Sequence, residues 1–154
     1  MTLRLRAMSP EEFVAWREVF VREWGEDLAR ADDLPLAEAT AQATLRTDAD
    51  LPDGPQTKDH FLFVLLDGAQ AVGTLWFSID AHQRAFLDDV AVDAPLRGKG
   101  YGRQALALLE EEARARGCTH VSLNVYRHNP RAIALYEQLG YQTSRLSMRK
   151  RLAR

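Results

Sequence analysis

Arg97-Gly98-Lys99-Gly100-Tyr101-Gly102 is the stretch that decides how this chain is read, because of what stands on either side of it. Upstream, Phe86-Leu87-Asp88-Asp89-Val90-Ala91-Val92 reads as a buried strand. Downstream, Gln104-Ala105-Leu106-Ala107-Leu108-Leu109-Glu110 reads as a helix. A strand, a glycine-rich turn with cations and then a helix N-terminus form an arrangement that binds phosphate. The unpaired N–H groups of a first helical turn point at an anion, and the helix dipole favours negative charge there. Glycines let backbone approach a pyrophosphate with no side chain in the way.

The spacing narrows the ligand. A nucleotide-hydrolase loop needs Lys followed by Ser or Thr, and Lys99 is followed by Gly100. A dinucleotide fold needs Gly-x-Gly-x-x-Gly, whereas Gly98, Gly100 and Gly102 are spaced two and two. The pattern Arg-x-x-Gly-x-Gly, held by Arg97, Gly100 and Gly102, instead resembles the acetyl-CoA-binding loop of the GNAT superfamily of N-acetyltransferases.

A second stretch agrees with the first. In Asn124–Tyr141, Asn129 can cap a helix, Pro130 suits its first position, and Gly140 can close it in the left-handed conformation. Local physics therefore predicts a short helix over 130–139. The order Asn129, Ala132, Leu135, Tyr136, Gly140, Tyr141 also resembles the second signature of the same superfamily. That resemblance implies that Asn129 and Ala132 meet the cofactor and that Tyr136 lies beside the thioester sulfur.

Composition bounds the rest. At 154 residues the chain is about one domain long and can bury a substantial core. No apolar run is long enough to span a bilayer, and the N-terminus lacks a signal-peptide pattern. Cys118, the single cysteine, excludes an internal disulfide and suits a reducing cytoplasm. With four scattered histidines it shows no metal-ligand spacing, so no metal is expected. The net charge of −2 is unevenly spread: residues 1–55 carry six arginines against twelve acids, and the remainder is basic. A basic half suits a polyanionic cofactor and an acidic half a cationic amine; solvated surface helices would give the same imbalance. A slightly acidic chain with no basic–aromatic platform argues against nucleic-acid binding as the main role.

Along the chain, Leu3 and Leu5 alternate as in an edge strand over 2–7. Ser9, Pro10 and Glu12 form a capping-box signature, and Phe13, Trp16, Phe20, Trp24 and Leu28 follow at helical spacing. Trp16 and Trp24 are read as core rather than as substrate-stacking groups. A second helix is expected over 36–47, a loop over 50–58, and a three-stranded meander over 60–66, 71–79 and 85–92, its first turn at Asp67-Gly68. Then come the phosphate loop, a helix to Arg116, a strand over 119–125, the short helix, and a final strand over 142–150. This order predicts an α+β chain, a three-layer α/β arrangement whose mixed, mostly antiparallel sheet carries helices on both faces. It is also the acyl-CoA N-acyltransferase fold that the resemblance implies for a single domain over 1–154. Residues 1–60 would form the acceptor side and 85–141 the acetyl-CoA-binding core. In that fold the strands either side of the loop helix splay, here at Val90–Val92 and Leu123–Tyr126, and pantetheine enters the gap.

The resemblance implies acetyl transfer from acetyl-CoA to the primary amine of a small molecule or peptide, without an acetyl-enzyme. Tyr136 would protonate the departing thiolate, and the roughly 1.5-unit gap between a phenol and a thiol, about 2 kcal/mol, would have to be closed by the site. An N–H near Val90, Ala91 or Val92 would serve the thioester oxygen. Arg97, Gly98, Lys99, Gly100, Tyr101, Gly102 and Arg103 would hold the pyrophosphate through backbone N–H groups, with Arg97, Lys99 and Arg103 adding charge. Some relatives carry a glutamate where this chain has Asn124, and an amide cannot accept a proton. That moves the general base to Asp88 or Asp89. Adjacent strand residues face opposite sides, so only one should reach the cleft. Polyamine-acetylating relatives carry an acid at the position resembling Asp88, which favours it; Glu23 and Glu26 are further options. The loop over 51–60 can act as a lid, and the cationic final strand could pair between two copies in a homodimer. The other reading is a catalytically silent CoA-binding sensor, which the Asn124 substitution motivates and Tyr136 opposes.

Overall fold

Ser9 opens the first long helix as its sequence predicts. In the computed structural model, which describes residues 2–153, its hydroxyl accepts from the Glu12 N–H while the Glu12 carboxylate accepts from the Ser9 N–H. Arg6 and Ser9 together hold the Glu12 carboxyl down at about 2. Helix α1 runs Pro10–Asp32 and α2 runs Leu36–Asp50, one turn beyond its expected end. The two pack tightly where side chains are small: a Cβ on Gly25 would lie 2.6 Å from Thr40 Oγ1, beside buried Ala39 and Ala43.

Five strands follow in spatial order: β1 (Leu3–Ala7), β2 (His60–Asp67), β3 (Gln70–Ile79), β4 (Ala85–Val92) and β5 (Val121–Leu123). The first three pairings are antiparallel, and the β2–β3 hairpin turns through Gly68 and Ala69. β4 and β5 are parallel, joined by α3 (Tyr101–Ala115), as a parallel pair requires a crossover. The sheet is buried on both faces. On one face Leu65, Leu75, Phe77 and Leu87 pack against Leu106 and Leu109 of α3 and against α4 (Pro130–Gln138). On the other, Leu62, Val64 and Trp76 meet the Phe13, Trp16 and Phe20 stripe of α1.

Residues 51–60 are pinned rather than loose. Leu51 is buried, Gly54 packs on the Phe13 ring, and the Thr57 hydroxyl bridges Asp53 and Gly54.

The expected strand over 142–150 does not form. Residues 142–153 run without regular structure, and Leu146 and Met148, its apolar face, stay 82% and 91% exposed. Charge outcompetes pairing here: Arg149 donates to the Ala31 carbonyl and to Asp32, and Arg151 pairs with Asp33 at the C-terminal end of α1. β5 is correspondingly shorter than the expected 119–125.

Candidate active site

The phosphate loop has the form its glycines predict. Gly98 and Gly100 adopt φ of 78° and 88°, a conformation that costs other residues about 1–2 kcal/mol. Gly100 is also the N-cap of α3, so no side chain caps the helix and the N–H groups of Tyr101, Gly102 and Arg103 are left for an outside acceptor. A Cβ on Gly102 would lie 3.5 Å from the Leu135 side chain, so the start of α3 sits close against α4. The side chains of the loop divide into groups bonded within the chain and one that stands free of such bonds among the described residues. Tyr101 is buried and donates to Asp67 at 2.6 Å, so only its backbone faces the loop. Arg103 donates to Gln138 of α4 at 2.6 Å, and Arg97 folds back to donate to the Val92 carbonyl at 2.9 Å. Lys99 stands exposed on the turn.

Next to this loop the sheet opens. β4 pairs with β5 only through Ala85, Phe86 and Leu87, and β4 continues to Val92 while β5 stops at Leu123. Strand geometry decides which peptide groups meet the opening. Asp93 donates to Val72 of β3, and the Ala91 carbonyl points at Gly73, where a Cβ would lie 2.1 Å from it. Alternate residues point the other way, so the backbone groups of Val90 and Val92 face the gap. The free Val92 carbonyl that Arg97 reaches agrees with this.

Alternation predicts the two carboxylates on opposite sides of the sheet, and a β-bulge instead turns both toward α1. Phe77 pairs with Leu87 and Trp76 with Asp89, leaving Asp88 as the extra residue of a β-bulge. Leu87 below the bulge and Val90 and Val92 above it all belong to the α3 face, so the alternation changes phase between them. Asp88 and Asp89 therefore both lie on the α1 face. Asp88 accepts from the Ser78 hydroxyl at 2.8 Å. Burial, with lesser help from Asp50 and Asp89, raises its carboxyl to about 7. Burial and then the Glu23 charge raise Asp89 to about 7, opposed by a hydrogen bond from Trp16.

Asp89, and not the favoured Asp88, lines a cavity of about 500 Å³ between α1 and the sheet. Trp16, Val19, Phe20 and Glu23 wall it on the α1 side; Gly73, Thr74 and Ala91 floor it, and Arg97 borders it. Glu26 and residues 51–60 are not among its walls. Trp16 is thus both core and wall: it packs edge-on to Trp76 at 5.6 Å and stacks on Phe20 at 4.8 Å while half-exposed.

Across the sheet, Asn129 caps α4 by accepting from the Ala132 N–H at 3.3 Å, which leaves the Asn129 amide N–H₂ group outward. Gly140 closes the helix at φ 93°, as expected. On this helix Tyr136 packs edge-on to Tyr141 at 5.8 Å. Burial and then the Asp89 charge push the Tyr136 phenol up, so the gap to a thiol widens rather than closes. Asn124 is exposed.

Sequence reasoning passed over a clamp. The Trp24 indole donates to the Tyr126 hydroxyl at 2.9 Å, and His128, stacked on Tyr126, bonds Asp27 at 2.8 Å. These contacts tie α1 to the segment leading into Asn129. Their partners stand about a hundred residues apart, and the only local sign was an aromatic and a histidine beside a helix cap. Among the described residues no group of His, Cys, Asp and Glu is placed to hold a metal, and no helix is long and apolar enough to cross a membrane.

Comparison with known proteins agrees with this geometry. The model of the acetyltransferase (GNAT) family matches residues 13–141. An uncharacterized N-acetyltransferase of Bacillus subtilis, YycN, is 37% identical over 99% of this chain and 100% of its own length. The crystal structure of YycN from that organism superposes with a TM-score of 0.93 at 34% identity, over 99% of this chain and 100% of that one. AAC(6')-Iy, solved with the bisubstrate analog CoA-S-monomethyl-acetylneamine, shares the fold at a TM-score of 0.64 and 17% identity, over 99% of each chain.

Proposed function

The chain belongs to the acetyltransferase (GNAT) family, and from that premise we propose that it transfers an acetyl group from acetyl-CoA directly to a primary amine. When bound, acetyl-CoA supplies the acetyl group as an activated thioester. The chain's residues suit such a ligand on their own evidence: an uncapped α3 N-terminus with glycines at the turn, beside a gap in the sheet. In this reading the N–H groups of Tyr101, Gly102 and Arg103 bind pyrophosphate, and Gly98 and Gly100 keep the approach clear. Lys99 adds charge, while Arg97 and Arg103 brace the loop against β4 and α4. The Val90 or Val92 N–H donates to the thioester oxygen, and the Asn129 amide donates to the pantetheine arm beside Ala132.

Asp89 takes the proton from the arriving ammonium. A carboxyl raised to about 7 by burial is far more basic than an ordinary aspartate and still has an ionised form to offer near neutral pH. Asp88, held by Ser78, keeps a neighbouring charge rather than touching the acceptor. Tyr136 stays protonated and donates to the sulfur, stabilising the charge that develops on the leaving group. The acceptor comes from the side formed by residues 1–60.

One observation carries this reading: the uncapped N-terminus of α3, with Gly98 and Gly100 at positive φ on its turn, stands beside the opening where β5 leaves β4 unpaired, a place suited to a phosphate-bearing thioester. Calorimetric titration with acetyl-CoA and with 3′-dephospho-CoA tests it. Micromolar binding of acetyl-CoA supports the assignment, and binding of neither overturns it.

A further inference from the structure

Small residues under an aromatic roof make the cavity beside Asp89. β3 and β4 offer Ala71, Gly73, Thr74 and Ala91 as its floor, and Gly73 is dictated by the close approach of the Ala91 carbonyl. Large side chains at these positions would fill the space between α1 and the sheet, as Trp76 does further along. Instead Trp16 and Phe20, stacked on each other, keep half-exposed faces, and Val19 is 43% exposed at the rim. Half-exposed aromatics over a hollow are more telling than scattered apolar surface. Asp89 stands in the β4 wall and Glu23 on the helix; of the other charged groups that meet the cavity, Glu12 is paired with Arg6, and Asp93 and Arg97 of opposite sign lie beyond the end of β4.

We infer that the acceptor is a primary monoamine carried on an aromatic or branched apolar stem, the ammonium seated at Asp89 and Glu23 and the stem between Trp16, Phe20 and the Gly73–Ala91 floor. This rests on the acetyltransferase reading for the fate of the amine, while the choice of ligand rests on the cavity alone. A polyhydroxylated amino sugar would leave hydroxyls unpaired against Trp16, Phe20 and Val64. A polyamine would carry its second charge into the apolar stretch, since Glu12 is already paired with Arg6 and Asp93 shares the cavity with Arg97. A cation with an apolar stem matches both parts of the lining, and aromatic faces add attraction for the charge itself.

The test compares 2-phenylethylamine, n-propylamine, spermidine and neamine in two assays: CoA release with acetyl-CoA, and quenching of tryptophan fluorescence without it. Burying the ring should give 2-phenylethylamine a kcat/KM about thirty-fold above n-propylamine. Val19→Glu, at the exposed rim of the cavity, should erase most of that ratio. Faster turnover of spermidine or neamine than of 2-phenylethylamine overturns the inference and leaves the acetyltransferase reading standing. Saturable quenching by 2-phenylethylamine alone, with no amine acetylated, supports the inference and removes the acetyltransferase reading. Equal quenching by all four amines, or none, overturns the inference.

Discussion

Asp89 stands directly opposite Trp76 across the sheet, a place that unbroken pairing from Phe77 and Leu87 would have given to Asp88. That one-residue slip decides the chemistry of the cleft. It turns two consecutive carboxylates, both half-buried, to the α1 face, and each is held at about 7. Burial is the leading cause for both, and neighbouring carboxylates add to it. An energetic cost is therefore stored where a base is needed.

Asp89→Asn should lower kcat/KM at pH 7 by about a hundred-fold or more, the usual worth of a positioned base. In the parent protein the rate should rise with pH through about 7, because only the ionised carboxylate accepts a proton. Asp88→Asn should have the smaller effect. Initial rates from pH 5.5 to 9 check both, and a larger loss at Asp88 would return the base to that residue.

Stability should move in the opposite sense. Asp89 has its folded pKa raised above the ordinary aspartate value, so the native state binds the extra proton more tightly than the unfolded chain. Its contribution is present below about pH 4 and is lost as pH rises to about 7. Asp89→Asn should consequently raise Tm at pH 8 and give no gain at pH 4. Thermal melts at the two pH values measure this, and an equal change at both would mean that ionisation is not the cause.

Tyr136→Phe should leave the Kd for acetyl-CoA unchanged and reduce kcat by about ten- to a hundred-fold, since only a donor to the leaving group is removed. Burial and the Asp89 charge both oppose ionisation of the phenol, so its loss should not shift the pH profile near neutrality. Calorimetry and initial rates on one preparation separate the two effects.

Gly100→Ala places a side chain at φ 88° on the turn before α3, straining it by about 1–2 kcal/mol. Acetyl-CoA affinity should fall roughly ten-fold as the first-turn N–H groups shift. Tyr126→Phe removes the acceptor for the Trp24 indole and should cost about 1 kcal/mol in urea denaturation. A Gly100→Ala variant with full affinity would move the anion site away from the α3 N-terminus.

Much of the frame was legible because its signals are local. Ser9 and Glu12 mark the start of α1, Asn129, Pro130 and Gly140 bracket α4, and an apolar run marks β4 over its observed length. The bulge left no such mark, since Leu87-Asp88-Asp89-Val90 reads as ordinary alternation with either acid inward. Its cause is cross-strand register, which no single strand encodes. Arg97 shows the same limit: its motif position was readable, while its bond to Val92 depends on which carbonyls β3 leaves free. The segment over 142–150 failed differently. Leu146 and Met148 alternate like a strand, but Arg149 and Arg151 found carbonyls and acids at the end of α1.

Amine-dependent release of CoA from acetyl-CoA, followed at pH 8 with 2-phenylethylamine and confirmed by the mass of the product, is the most direct test of the whole account. Release saturable in both substrates, with the N-acetylated amine as product and a large loss in Asp89→Asn, is the predicted result. Tight binding of acetyl-CoA with no amine-dependent release of CoA from any acceptor would contradict it and make the protein a CoA-binding sensor.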